Sequence, residues 1–520
     1  MRIATLDLET DPFVYGQTPM PFAAGFFDGD QYHQTWGPSC VADMVAYIND
    51  HADDLLIYVH NGGGFDFWYL QPWITNPLFF IHRRLAKCGF LERHELRDSY
   101  RMIPVPLSDY NKDTIDYNLF FPGVREKHKQ SIGHYLQMDC EYLYQMVTDF
   151  ISRYGNHLTM GAAAIHALKE CHPQKHESET FDTRFRPWYM GGRNECFKTG
   201  ELKGDWKIYD VNSMYPYVMA NYNHPLGSSY CKTSRMKDNR VSFARITATS
   251  NGALPMPYKG LSFPHGKREF WACSHEIFTG LELGVLKIHK IHECYQFNHV
   301  QSFAEFIDKF AAIKVACEES GDKGGRLFAK LLMNSSYGKF GQNPRNYTDC
   351  ELFDDIKELT EKGYTYTSQL GDKLIGSKPT DLKPYSFNNV AIAASITSAS
   401  RAELMRGLAH AENPIYCDTD SIIAENLHME LHDSKLGAWK TEAQADTMYI
   451  AGKKLYAAYA KGMPVTIKGK EKKASKGANL SAETIRKVTL GDTYLNEIAA
   501  PVLRFGQGAK FIARKIQKTA

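Results

Sequence analysis

The sequence has little that would tie it to a membrane, a secretory route or a disulfide scaffold. No apolar run approaches the roughly 20 residues that a spanning helix needs, and residues 1–10 lack the basic-then-apolar layout of a signal peptide. The 11 cysteines are scattered, with no C-x-x-C pair. That pattern argues against a zinc site or disulfide framework and predicts a reducing, cytoplasmic setting. Net charge is scarce too: 61 Lys/Arg against 59 Asp/Glu leave +2, too little by itself for a strong polyanion binder. Hydrophobic and charged shares of 43% and 23% are those of an ordinary globular chain. At 520 residues it exceeds a single core, and roughly two to four domains are expected.

The charge is unevenly placed. Residues 451–520 carry 15 Lys/Arg against 4 Asp/Glu, leaving 46 against 55 in the other 450. An acidic body with a basic C-terminal end suits a metal-dependent enzyme acting on nucleic acid, with cations on phosphates and carboxylates on metals. Within that end, Lys468-Gly469-Lys470-Glu471-Lys472-Lys473 reads as a loop.

Ile415-Tyr416-Cys417-Asp418-Thr419-Asp420-Ser421-Ile422 sets two carboxylates two apart in an apolar, β-forming run. On a strand or tight hairpin Asp418 and Asp420 would present as a pair. Paired acids in apolar surroundings repel unless a cation lies between them, and hard oxygen ligands suit Mg²⁺ or Mn²⁺. Asp210 closes the apolar strand of Ile208-Tyr209-Asp210-Val211, before a turn stopped by Pro216, and completes a second carboxylate set.

Residues 2–10 alternate like a strand, so Asp7 and Glu9 share a face. The apolar strand Leu55–Val59 runs through His60 into Asn61-Gly62-Gly63-Gly64-Phe65-Asp66, whose glycines deliver Asn61, Phe65 and Asp66 to the strand end. From residue 135 to 150 the periodicity predicts a helix with Tyr135 and Asp139 on one face. Together Asp7, Glu9, Asp66, Asp139 and Tyr135 make a two-metal hydrolase pocket possible, with Tyr135 orienting the water. Residues 303–340 read as two helices split by Ser320–Gly325. Arg326, Lys330, Asn334 and Tyr337 would form one continuous face of the second, and Lys314 lies near the end of the first. Such a face could hold a triphosphate and stack a base.

Taken in order along residues 1–480, these segments resemble a family B DNA polymerase of the small, protein-primed group of bacteriophages and linear plasmids. Asp7-Leu8-Glu9, Asn61 to Asp66, and Tyr135 with Asp139 match its three exonuclease motifs. Asp210 to Pro216 matches D-x-x-S-L-Y-P, with Met214 for leucine. Lys330 to Gly338, including Ser335, matches K-x-x-x-N-S-x-Y-G; Tyr416 to Ser421 matches Y-x-D-T-D-S; Lys454 to Tyr456 matches K-x-Y; Tyr189 to Gly192 matches Y-x-G-G.

The resemblance implies an α/β multidomain fold: an RNase H-like 3′–5′ exonuclease domain (1–155), a linker with the first palm segment (156–221), and a first insertion (222–302). Fingers (303–341), a second insertion (342–375), palm (376–450) and a basic thumb (451–520) would follow. It implies two Mg²⁺ or Mn²⁺ ions per site, held by Asp210, the Val211 carbonyl, Asp418 and Asp420, and by Asp7, Glu9, Asp66 and Asp139. Tyr215 would exclude a ribose 2′-OH, and Lys314, Arg326, Lys330, Asn334 and Tyr337 would take the dNTP. Tyr189, Gly191, Gly192, Ser335, Gly338, Lys454 and Tyr456 would contact primer–template DNA. Thr10, His60, Asn61, Phe65, Ser99 and Tyr100 would contact the single strand, with Lys112 a catalytic lysine. Ser99-Tyr100 departs from the group's usual Ser-Leu. The expected protein is a monomer without a membrane partner, in host cytoplasm if viral. It would use a terminal protein, docked on the first insertion, as primer. A 3′–5′ exonuclease whose C-terminal half only grips DNA is the alternative.

Overall fold

The structure, a computed structural model, describes all residues except 15–16, 111–113, 174–176, 259, 381–387, 478–479, 497–500, 505–507, 512–515 and 519–520. Strand Leu55–Val59 is buried at every position, as a β-run covered on both faces should be. It pairs in parallel with Arg2–Thr10 on one side and His94–Asp98 on the other. Around them grows a ten-stranded sheet. Helix Lys129–Tyr154 lies across Arg2–Thr10 and Pro21–Phe27. Its Ile132, Leu136, Cys140, Leu143 and Val147, three or four apart, form the buried stripe of that helix.

The three far strands of the same sheet come from residues 348–379. Thr348–Phe353, Thr365–Leu370 and Lys373–Pro379 are added beyond Ile74–Ile81. The joint is short, Cys350 opposite Leu78. It is reinforced by the Asn76 side chain, whose amide donates to the Leu352 carbonyl (3.1 Å) and accepts from the Leu352 N–H (2.7 Å). These strands thus extend the sheet of the N-terminal residues, and the last of them passes 375, the limit expected for a second insertion.

A second sheet carries the other acidic motif. Its order runs Met463–Pro464, Leu455–Ala460, Trp439–Gly452, Gly200–Val211, Ser421–Ala424, Tyr416–Asp418, Asn194–Cys196, with Lys473–Ser475 pairing to Leu455–Ala460. Behind it, helix Val390–Ala409 is buried nearly all round, which its Ala and Ser residues permit. Within residues 222–302, expected as a first insertion, a four-stranded sheet forms from Tyr230–Lys232, Ser242–Asn251, His265–Cys273 and Leu286–Phe297. It has a separate small core around Ala244, Ile246, Phe270 and Ile277. Helix Ser274–Glu282 ties it to Val390–Ala409 through buried Glu276 and Arg401, 2.7 and 2.9 Å apart across two parallel hydrogen bonds.

Four sequence expectations are corrected. Pro216 does not stop a turn. It lies in the first turn of helix Met214–Asn221, where its missing N–H costs no helical bond. The face from Arg326 to Tyr337 is not continuous: one helix is Lys323–Ser335, and Tyr337 opens the short helix Tyr337–Phe340. The lysine-rich 468–473 stretch is no plain loop, because Thr466–Ile467 and Lys470–Glu471 pair as a hairpin. The 450/451 boundary cuts strand Trp439–Gly452, so the K-x-Y segment belongs to the second sheet. Among the described residues no helix is long and apolar enough to cross a membrane.

Candidate active sites

At the first site the alternation of Arg2–Thr10 and one helical turn of Lys129–Tyr154 converge. Carboxylate oxygens of Asp7, Glu9 and Asp139 lie within 4.8 Å of one another, a set able to hold a divalent metal. Asp66 stands beside them, 4% exposed. Burial, and then the charge of Asp7, push its carboxyl well above the ordinary range. It reaches that place through Asn61 in the left-handed region (φ 57°) and the one-turn helix Gly62–Gly64. Gly63 is required there, since a side chain would collide with the Leu85 carbonyl. Tyr135, 5% exposed, meets the Tyr117 hydroxyl at 3.3 Å, and burial raises its own hydroxyl pKa.

A cleft of about 810 Å³ shares Tyr135 with this site and is lined also by His60, Asn61, Tyr100 and Tyr117 among others, though by none of the four acids. His60 Nδ1 lies 3.0 Å from Ser99 Oγ, and Ser99 donates to the Val59 carbonyl at 3.3 Å. Phe65 packs edge-on against Phe13 (5.6 Å) and Tyr69 (5.4 Å), and Thr10 is buried at the strand end. Lys112 lies outside the described residues. The cleft also takes in His82, Arg84 and Arg101, which no motif singles out. Arg84 donates to Asn61 Oδ1 (3.0 Å) from the tip of the Ile74–Ile81/Arg84–Phe90 hairpin. The only signal for it in the sequence is the compact His82-Arg83-Arg84 run.

The second site is a two-residue hairpin laid beside a strand end. Asp418 ends Tyr416–Asp418, opposite Ser421, and Thr419 and Asp420 make the turn. Ser421 pairs with Asp210, and the Val211 N–H donates to the Asp420 carbonyl at 2.8 Å. The spacing is realised as a hairpin, the second of the two geometries it allowed. Among the described residues only Asp7, Glu9 and Asp139 bring three ligand atoms within 4.8 Å of one another, and Asp210, Asp418 and Asp420 are not gathered that tightly. Burial, then Asp210, push the Asp420 carboxyl up to about 7. Asp210 is raised as well, by burial first and Glu442 next.

Lysines stand on two of the acids. Lys454 Nζ contacts both oxygens of Asp418, at 2.8 and 2.6 Å. Lys440, directly opposite Asp210 in register, lies 3.7 Å from its Oδ1. Glu442 is the extra residue of a β-bulge between Thr441 and Ala443, and it pairs with Lys472. A bulge re-aims one side chain, and a sequence pattern does not show where one falls. That hides Glu442, while Lys440 faces Asp210 through a cross-strand pairing distant in sequence.

Tyr215 and Tyr337 stack at 4.0 Å and 14°, and the Asp420 charge bears on both rings. Arg326, Lys330 and Asn334 are exposed on Lys323–Ser335, Lys314 is half-buried on Ala304–Ser320, and Ser335 and Gly338 follow near the helix end. Tyr456 is buried, edge-on to Tyr416 at 5.0 Å, and supports the turn from which Lys454 projects. Tyr189 packs on Gly341, where a side chain would strike its ring. The Met190 and Gly191 carbonyls accept from Arg401 at 2.6 and 2.7 Å.

The chain matches the family described as DNA polymerase type B, organellar and viral, over residues 110–436. It is 36% identical to the DNA-directed DNA polymerase of Enterobacteria phage PRD1, across all of this chain and 98% of that one. To the DNA polymerase of Bacillus phage phi29 it is 25% identical, over 66% of this chain and 64% of the relative. Solved structures of phi29 DNA polymerase have the same fold. An orthorhombic crystal form and a complex with primer-template DNA each align over 98% of both chains at TM-score 0.72, with 18% and 19% identity.

Proposed function

The chain belongs to the organellar and viral type B DNA polymerases, and from that premise we propose that it extends a primer 3′-OH along a DNA template and proofreads with a 3′–5′ exonuclease. The observation that carries this reading is the presence, on one chain, of two separate carboxylate centres. One is built on strand Arg2–Thr10 with helix Lys129–Tyr154, the other on the Asp418–Ser421 hairpin beside Asp210.

Both donor sets are hard oxygen ligands fit for Mg²⁺ or Mn²⁺, here Asp210, the Val211 carbonyl, Asp418 and Asp420, and separately Asp7, Glu9, Asp66 and Asp139. Bound there in pairs, such ions supply the charge that activates the attacking oxygen and stabilises the leaving one. The protein's own groups do the rest. Lys314, Arg326 and Lys330 bind the triphosphate, with Asn334 beside them. The Tyr215–Tyr337 stack forms an aromatic floor that leaves no room for a 2′-OH. Lys454 reaches the primer end from its place on Asp418. At the nuclease centre Tyr135 orients water, while His60, Asn61, Phe65, Ser99, Tyr100 and Thr10 line the path of a frayed single strand. A terminal protein serves as primer, docked on the sheet of 222–302, and the strands of 342–379 enclose DNA and favour strand displacement.

The test is extension of a labelled primer on a single-stranded circle with Mg²⁺, four dNTPs and no helicase or clamp. Products longer than one circle are expected. Short products would retain the polymerase and remove the strand-displacement role, and primer shortening alone would overturn the reading.

A further inference from the structure

The two glycines of Tyr189-Met190-Gly191-Gly192 are not equivalent. A side chain on Gly191 would meet nothing within 4 Å, so that position faces open space. A side chain on Gly192 would sit 2.6 Å from Thr419 Oγ1, 2.9 Å from its Cγ2 and 3.1 Å from its Cβ. Gly192 is absent from the positive-φ positions, so its backbone places no demand for glycine. Space for Thr419 is the reason it is there.

Thr419 is unusual in its own right. It is a β-branched residue at φ 58°, in the left-handed region such residues avoid. Strain of this kind persists only where the surroundings impose it. Here they are visible. The Thr419 N–H donates to the Arg193 carbonyl at 2.6 Å, and its hydroxyl donates to Asp418 Oδ1 at 3.2 Å. The Asp420 N–H closes the turn on the Asp418 carbonyl at 2.6 Å. The segment after Gly192 continues as strand Asn194–Cys196, paired with Tyr416–Asp418 so that Asn194 faces Asp418. Arg193 itself is anchored from behind, donating to the Gly252 carbonyl at 2.8 Å and lying over the Phe263 ring.

We propose that Gly192 and the Arg193 carbonyl form a clamp that holds Thr419 in its left-handed conformation and thereby fixes the directions of Asp418 and Asp420. This rests on the polymerase reading of the hairpin. Gly192 is then a positioning residue, acting through Thr419 rather than through DNA. The first insertion, which supplies Gly252 and Phe263, becomes part of the support of the catalytic turn.

The test is a double-mutant cycle on the full chain, Gly192→Ala, Thr419→Gly and both together. It is read by single-nucleotide incorporation, by primer–template affinity, and by Mn²⁺ binding in an Asp7→Ala/Glu9→Ala background without DNA. Gly192→Ala is expected to slow incorporation by about 100-fold, the cost of a small misplacement of reacting groups. It should weaken Mn²⁺ binding while primer–template Kd stays within about twofold. In the Thr419→Gly background, where the collision is gone, Gly192→Ala should change incorporation by less than about threefold. That comparison remains readable even if Gly192→Ala alone folds poorly. An equal loss in both backgrounds, or a rise in primer–template Kd that matches the loss of rate, would overturn the clamp. Failure of the wild type to incorporate nucleotides at all would instead overturn the polymerase reading.

Discussion

The two acidic centres use the same residue types and differ in what surrounds them. Asp7, Glu9 and Asp139 project from the interiors of a regular strand and a long helix, and they converge within 4.8 Å. Asp210, Asp418 and Asp420 come from a strand end and a tight turn, and lysines rest on two of them. The first set, Asp66 aside, is built by elements whose geometry leaves little freedom. The second set lies on the turn of Thr419 with Lys440 and Lys454 against two of its acids, so its charges are balanced by neighbouring cations. On the proposed reading the second set must admit a new nucleotide in each cycle, and a turn with exchangeable counter-ions suits that need better than a fixed cage.

If the centres are separate, Asp7→Ala with Glu9→Ala removes 3′–5′ degradation and leaves extension intact. The loss should exceed about 100-fold, above what changes outside the direct ligands cost. Degradation that persists in this variant would misplace the nuclease. The next effect concerns the support of the palm. Glu276→Ala leaves Arg401, 2% exposed, buried without its partner. Denaturant unfolding should show about 3–5 kcal/mol lost, whereas a change below about 1 kcal/mol would mean the helices are held otherwise.

Asp420 offers a test in pH. Folded, it keeps its proton to about 7, while an unfolded aspartate releases its own near about 4. Between those values the folded chain binds more protons, so its stability falls as pH rises. Metal-free Asp420→Asn should therefore gain on the wild type from about pH 4 to 7, by at most about 1.4 kcal/mol per pH unit, and run parallel above. A constant difference throughout would remove the buried-carboxylate account. Smallest is Lys440→Met, which frees Asp210 from a half-exposed cation. Mn²⁺ affinity at the palm should rise by no more than about fivefold, the scale of exposed ion pairs, and a fall would make Lys440 a support of the site rather than a competitor for it.

Much of this was legible in the residues. Period-two alternation placed Asp7 and Glu9 on one face, helical spacing set Tyr135 above Asp139, and the Asp418/Asp420 spacing fitted the hairpin found. What stayed hidden came from contacts distant in sequence. The pairing of residues 348–353 with 74–81, the bulge at Glu442 and the Glu276–Arg401 pair leave no local trace. Pro216 misled because a proline that ends a helix interior also begins a helix well. The break before Tyr337 has no glycine or proline to announce it.

The claim that two independent centres do opposing chemistry is tested most directly by Asp420→Ala on a 5′-labelled primed template, followed with and without dNTPs. The account predicts no extension under either condition and undiminished shortening from the 3′ end. Loss of both activities together, or extension that survives, would contradict it.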